Sequence, residues 1–404
     1  GKNVRLLNGS IISADTFGAI DGSKIAIDAT ELVEINGSDL TNQKIDLSFA
    51  SVGIFLPFPS QITANTFSTG DASDILIKAE QLLVVDGAQL QAQTIANPAN
   101  PEQQAGEGGD IVIQTTDLVE FRGAKPLLGV ADNVNELFPS ISDITDAANV
   151  ERFIETARSS RIDGASASNG ATGNIEIFTN QLKLKDGANI QNIPFASGNA
   201  GNITINAPEL VEITGDSTRS GSVASIIASD TFGLGNAGTI ELVAGKLSLQ
   251  NGGAISSSTL GSGNGGDINI NATEIEIFGT AGNEELSSGF GSQTFNEGNA
   301  GNLLVNTEKL TLRDRGAITV RGTSSGSPGN LEINAGVIKL DNRATITAAT
   351  ASGTGGNIKL NLAGNLSLKR NSLISAQASG DADGGNIDIR ANFILARPFE
   401  NSDI

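Results

Sequence analysis

A short pattern recurs along this chain and constrains its fold more than any other feature. In its clearest copy, Gly198-Asn-Ala-Gly-Asn-Ile-Thr-Ile-Asn-Ala-Pro-Glu-Leu-Val-Glu-Ile213, a glycine turn leads through a polar Asn into an alternating strand, a corner and a second alternating strand. Similar openings fall near Asp21, Asp71, Glu107, Ala171, Asn199, Asn236, Asn264, Asn299, Ser327, Thr354 and Asp383, most often about 28 residues apart. Leu6 to Thr16 reads as the second half of one more unit. Repetition at such a period describes a unit that cannot bury its apolar face alone and must stack on copies of itself.

Each opening leads to two aliphatics at i and i+2: Ile25/Ile27, Ile75/Ile77, Ile111/Ile113, Ile175/Ile177, Ile203/Ile205, Ile240/Leu242, Ile268/Ile270, Leu303/Val305, Leu331/Ile333, Ile358/Leu360 and Ile387/Ile389. A period of two is that of a strand. A second strand follows a corner (Leu182/Leu184, Leu247/Leu249, Leu310/Leu312, Ile338/Leu340, Leu366/Leu368). A tight turn such as Asp86-Gly87-Ala88 or Asp186-Gly187-Ala188 then leads to a short third strand beginning at Ile255, Ile318, Ile346 or Ile374. The expected architecture is all-β: a right-handed, single-stranded parallel β-helix of about eleven three-strand coils, one solenoid domain over residues 1–404. Three parallel sheets should run along a rod, with Ile203, Ile240, Ile268, Leu303, Leu331, Ile358 and Ile387 in one inward column. A propeller needs about 40 residues or more per blade, so the 28-residue spacing argues against it.

Asn or Asp precedes most first strands: Asp74, Asp110, Asn174, Asn202, Asp267, Asn302, Asn330, Asn357 and Asn386. Stacked one per coil, these residues suit a turn position and an amide ladder; a ladder of metal-binding carboxylates is the alternative. Some units end their second strand in Val-Glu-Ile or a close variant followed by x-Gly, at Gly37, Gly123, Gly215 and Gly279, and then carry an insertion: 38–60, 124–160, 216–223 and 280–291. Leaving the coil at one point, all four should lie along one side. In the longest, Ala147, Val150, Ile154 and Ala157 fall on one face with Phe153 flanking, which predicts a short amphipathic helix packed on the solenoid. Phe17, Phe67, Phe232 and Phe295, each after a Thr, read as filler of one corner of the core.

The chain has no Cys, His, Met, Trp or Tyr. That removes thiolate nucleophiles, disulfides, zinc-thiolate sites and every mechanism resting on imidazole. A net charge of −20 opposes nucleic acid and anionic membrane surfaces, and no apolar run reaches the length of a membrane-spanning helix. The nearest carboxylate clusters, Asp381/Asp383 and Glu284/Glu285, sit in glycine-rich stretches and do not read as an acid pair across a cleft. No catalytic or cofactor-binding residue is therefore assigned, and the metal question stays open.

The segments Gly198-Asn-Ala-Gly-Asn-Ile-Thr-Ile205 and Gly263-Asn-Gly-Gly-Asp-Ile-Asn-Ile270, the Asp-Gly-Ala turns and Asn392-Phe-Ile-Leu-Ala396 resemble the glycine-rich repeats of filamentous haemagglutinin-like exoproteins of two-partner secretion, the cyanobacterial type most of all. The resemblance spans the chain outside 124–160, and the family's amino-terminal secretion domain is not recognisable in it. It implies export across a bacterial outer membrane and a surface-bound or released adhesin, matrix or layer protein.

The leading expectation is an extracellular structural or adhesive solenoid without enzymatic activity. The alternatives are a polysaccharide-binding or polysaccharide-cleaving β-helix and a calcium-stabilised solenoid. Expected partners are another copy stacked head to tail, or a continuation of the rod in a longer chain, and a glycan or other cell-surface group. Neither nucleic acid nor insertion into a membrane is expected.

Overall fold

The computed structural model describes residues 1–37, 59–95, 105–123, 159–215, 224–281, 286–324, 326–351, 355–379, 382–397 and 399–404. The described residues contain strands and no helix, and the strands follow one another up a parallel β-solenoid. The short third strands form an 11-stranded parallel sheet, from Ile11–Ser13 to Leu373–Ser375, with one strand from each of eleven coils. The helix expected within 124–160, and most of that insertion, lies outside the described residues.

The first and second strands do not form separate sheets. They belong to one 16-stranded sheet, and in several coils they are a single bent strand, as in Asp74–Val85 and Ile203–Thr214. Two sheets therefore run along the solenoid instead of three. The reason lies at the corner. Small side chains such as Ala79, Ala207, Ala244 and Ala272 point inward at the bend. The ladder carries on past them, and some pairs absorb the bend by a register shift, between Ala79 and Gln81 or between Ala207 and Leu210. The third side of each coil is a glycine-rich corner joined to its neighbours by single bridges, Thr16 to Thr66 to Thr94 to Ser166 to Pro194, and Thr231 to Thr259 to Thr294.

Alternation fixes the register. Ile25, Ile75, Ile111, Ile175, Ile203, Ile240, Ile268, Leu303, Leu331, Ile358 and Ile387 pair in succession, one per coil, so the expected column runs through all eleven. Its middle members are fully buried. Each such aliphatic contributes about 1.5–3 kcal/mol, and a one-residue slip would turn the whole face to solvent.

The repeated glycines answer a different need from the one the sequence suggests. Those of the Gly198-Asn-Ala-Gly201 type do not hold a positive φ. They stack in columns: a Cβ on Gly201 would run into the carbonyl oxygen of Gly173 one coil below, and one on Gly198 into that of Gly170. Neighbouring strands lie about 4.8 Å apart, and at this corner the backbone itself comes into contact from coil to coil. Positive φ belongs to the tight turn before the third strand, at Asp86 (56°) and Gly87 (87°) or Asp186 (55°) and Gly187 (80°).

Candidate functional site

Three stacked arrangements distinguish the outside of the solenoid. The first is the ladder before the first strand. Asp74 Oδ1 accepts from the Asp110 N–H at 3.0 Å, Asp110 Oδ1 from Asn174 at 2.7 Å, and Asn174 Oδ1 from Asn202 at 3.0 Å. Farther along, Asn302, Asn330 and Asn357 each accept the backbone N–H of the next coil, and their Nδ2 groups reach back to the Oδ1 below. One oxygen does the accepting, so Asp and Asn both serve as acceptors here, and only Asn adds the Nδ2 bond to the coil below. A parallel ladder three residues upstream joins Asn199, Asn236, Asn264 and Asn299 in the same way.

The second arrangement is the corner that carries the insertions. Gly37, Gly123, Gly215 and Gly279, where the four insertions leave, each donate to the strand end or turn of the next coil: the carbonyls of Val85, Lys185, Gln250 and Asp314. The returning chain enters at Ser60, Ser160, Ser225 and Ser288, all wholly buried. The four hydroxyls accept the N–H groups of Gly9, Gly87, Gly187 and Gly252 in the tight turns of the coils below. Three of them also donate across the neck, Ser160 to the Arg122 carbonyl at 2.6 Å, Ser225 to Thr214 at 2.7 Å and Ser288 to Phe278 at 2.8 Å. Each serine thus ties the foot of an insertion to the coil beneath, and Ser160, Ser225 and Ser288 also close the neck. In uninserted coils the same place is held by Ala88, Ala188, Gly253, Gly316 or Ala344, and by Ser10 and Ser372 at the two ends. The latch was not evident in the sequence: a Ser directly before the third strand follows every insertion, but Ser10 and Ser372 stand at that position without one. The necks share one corner, as expected. The loops of 38–58, 124–158 and 216–223 lie outside the described residues, so the side they occupy is not described. The fourth insertion is shorter than expected: Thr280–Ala281 pairs antiparallel with Leu286–Ser287, and Gly289–Thr294 already belongs to the 11-stranded sheet.

The third arrangement corrects an expectation. The phenylalanines after the corner threonines are not core filler. The threonines turn inward and are buried, and the next residue points out. Phe17 is 74% exposed, Phe232 46% and Phe295 48%, and Phe195, which follows Pro194 at the same corner, is 55% exposed. Phe17 stacks on Phe67 with centroids 4.9 Å apart, and Phe195 on Phe232 at 5.3 Å.

Charged groups are spread thinly. Among the described residues no three carboxylates come together as a metal site would require. Asp381, Glu284 and Glu285, from the two clusters noted in the sequence, lie outside the described residues. Burial pushes the Asp230 carboxyl above its ordinary range, against hydrogen bonds from the Ser256 hydroxyl and the Ser258 N–H. Asp341 is held low by Arg370, which bonds both carboxylate oxygens at 2.7 Å, and Asp314 is held low by the Asn342 amide and then by Arg313. An open depression of about 620 Å³ lies over Asn334, Asn361 and Arg390, where Asn306, Asn334 and Asn361 form an outward amide ladder with bonds of 2.9 and 2.8 Å.

Neither a family model, nor a curated protein, nor a solved structure matches this chain.

Proposed function

We propose that the chain is a rod segment of an extracellular, non-catalytic structural or adhesive protein of the filamentous haemagglutinin-like type, exported across the outer membrane by two-partner secretion. The observation that carries this reading is the shared corner of the four insertion necks. A uniform, rigidly laddered rod lifts variable loops away from a surface, and the serine latches hold each loop's base against the rod. Loops on a rigid scaffold are where recognition concentrates. The resemblance of the glycine-rich repeats supplies the family and the location.

Labelling of intact source cells with antibody to this chain tests the reading. Signal on the cell surface or in shed filaments is the expected result, and signal confined to lysed cells would remove it. The depression over Asn334 and Asn361 favours one second reading, a groove for a neutral glycan. Titration with neutral and acidic oligosaccharides checks it: saturable binding lost in Asn361→Ala would favour the groove, and binding to neither would dismiss it.

A further inference from the structure

The exposed phenylalanines belong to a longer stripe. The residue after the inward Thr, Ser or Pro bonds its backbone N–H to the coil below, from Phe67 to Phe295 without a break. Over eight successive coils that residue is apolar, and the four consecutive coils from Phe195 to Phe295 show Phe, Phe, Leu and Phe, with Leu260 43% exposed. Leu234 and Ile20 add to it at 69% and 86% exposure. In the next three coils the position turns to Thr323, Ala351 and Ser379, so the large apolar groups end at Phe295. Nothing inside the coil calls for these side chains, because the corner is already filled by the buried threonines.

The setting of the stripe points to its occupant. In the first three coils of the stripe the corner ends on Asp21, Asp71 and Glu107, but across the five that follow, at 166–171, 194–199, 231–236, 259–264 and 294–299, there is a single charged residue, Glu297, in a chain of net charge −20. Two copies repel one another over most of their surface but not here. The period matters as well. The apolar groups recur at the spacing of stacked strands, about 4.8 Å, in a line roughly 35 Å long. A partner that meets them rung by rung must repeat at the same interval, and another solenoid of this unit does so. The area is of the right order: the exposed fractions of Phe17, Phe195, Phe232, Leu260 and Phe295 amount to roughly 500 Å² of mostly apolar surface, and the flanking Leu234 and Ile20 bring it toward the share of one partner in a standard interface.

We infer that this corner is a lateral self-association surface, on which two copies of the chain lie side by side with their apolar stripes in contact. The contact differs from end-to-end stacking because it doubles the rod's cross-section and leaves its length unchanged. Raising the salt concentration tightens it, since screening relieves the repulsion of the acidic surfaces while the stripe is uncharged.

Sedimentation velocity of the full chain over a wide concentration range tests the inference, with small-angle scattering of the associated species. The expected result is a reversible dimer of unchanged length and doubled cross-section. In Phe195→Ser/Phe232→Ser its dissociation constant should rise at least about 100-fold. These side chains are exposed, and circular dichroism of the variant should match the parent, which separates loss of contact from loss of fold. If that spectrum does change, Leu260→Ser alone repeats the measurement. A chain that stays monomeric at every concentration, a dimer that is twice as long, or a lateral dimer indifferent to these substitutions would each overturn it.

Discussion

Gly87 and Ser160 stand 73 residues apart in the chain, and the N–H of one donates to the hydroxyl of the other at 2.9 Å. That bond spans an insertion and two levels of the solenoid. The same hydroxyl donates to the Arg122 carbonyl, which also accepts the Asp86 N–H, so a single oxygen joins the tight turn to the end of the strand above it. Ser160→Ala leaves the Gly87 N–H without a partner, while the Arg122 carbonyl keeps the Asp86 N–H, and should cost about 1–3 kcal/mol, read as a lower denaturation midpoint. Ala at the equivalent position of an uninserted coil is native, as at Ala188. A Ser160→Ala chain as stable as the parent would mean that the neck needs no latch.

The ladder before the first strand allows a sharper comparison. Asn330 accepts the Asn357 N–H at 3.2 Å and the Asn357 Nδ2 at 2.9 Å. Asn330→Ala loses both and should cost roughly 1 kcal/mol. Asn330→Asp keeps the accepting oxygen and should cost less, as the native Asp110 and Asp267 imply. Equilibrium unfolding of the two variants side by side decides the order.

Backbone geometry gives two opposite expectations. Gly201→Ala drives a methyl into the Gly173 carbonyl and should destabilise by about 3 kcal/mol or more. Arg343 holds a φ of 63° at a turn position where earlier coils place Gly87, Gly187 and Gly252. Arg343→Gly should therefore stabilise the chain by roughly 1 kcal/mol. Thermal melts of both variants check the pair of signs.

The carboxylates respond to pH in two directions. Asp230 has its folded value raised by burial. Its stabilising contribution is thus present below the ordinary carboxylate range and is lost as pH rises through the folded value. Asp230→Asn keeps an oxygen for Ser256 and Ser258, which both bond to Oδ1, and should be more stable than the parent at neutral pH but not in acid. Asp341 and Asp314 have lowered folded values. Their contribution is present at neutral pH and is lost as pH falls through those values. Arg370→Gln should therefore flatten the acid side of the stability curve. Denaturant titrations from acid to neutral pH separate the two behaviours.

Much of this was legible because the solenoid's core is local in kind though not in sequence. Alternation alone placed Ile203 against Ile240 and Ile268, since a strand buried on one face tolerates no other register. The turn at Asp86 and Gly87 was equally plain. Phe232 misled because its apolarity was weighed above its phase: the strand runs Ile227, Ser229, Thr231 inward, which puts Phe232 outside. Gly201 misled for another reason. Its neighbour in contact is Gly173, and no local rule shows that two backbones touch across a coil. The merging of the first two sheets depends likewise on how far the bend at Ala207 opens the ladder, which is a property of stacked neighbours.

The columns of identical contacts also bear on how such a chain changes over generations. Every coil meets its neighbours through nearly the same ladder, glycine contact and aliphatic stack, so the interface between any two coils is close to that between any other two. Duplicating one 28-residue unit, for example the stretch opening at Asn236 and closing before Asn264, creates no unfamiliar junction. It lengthens the rod by one strand spacing, about 4.8 Å. A loss or gain inside a strand breaks the phase of its column, whereas coils of 27 and 29 residues, from Leu331 to Ile358 and from Ile358 to Ile387, keep theirs by taking up the difference at corners. Reach is thus a quantity that heredity can adjust in whole steps, while the loops at the serine corner vary without disturbing it.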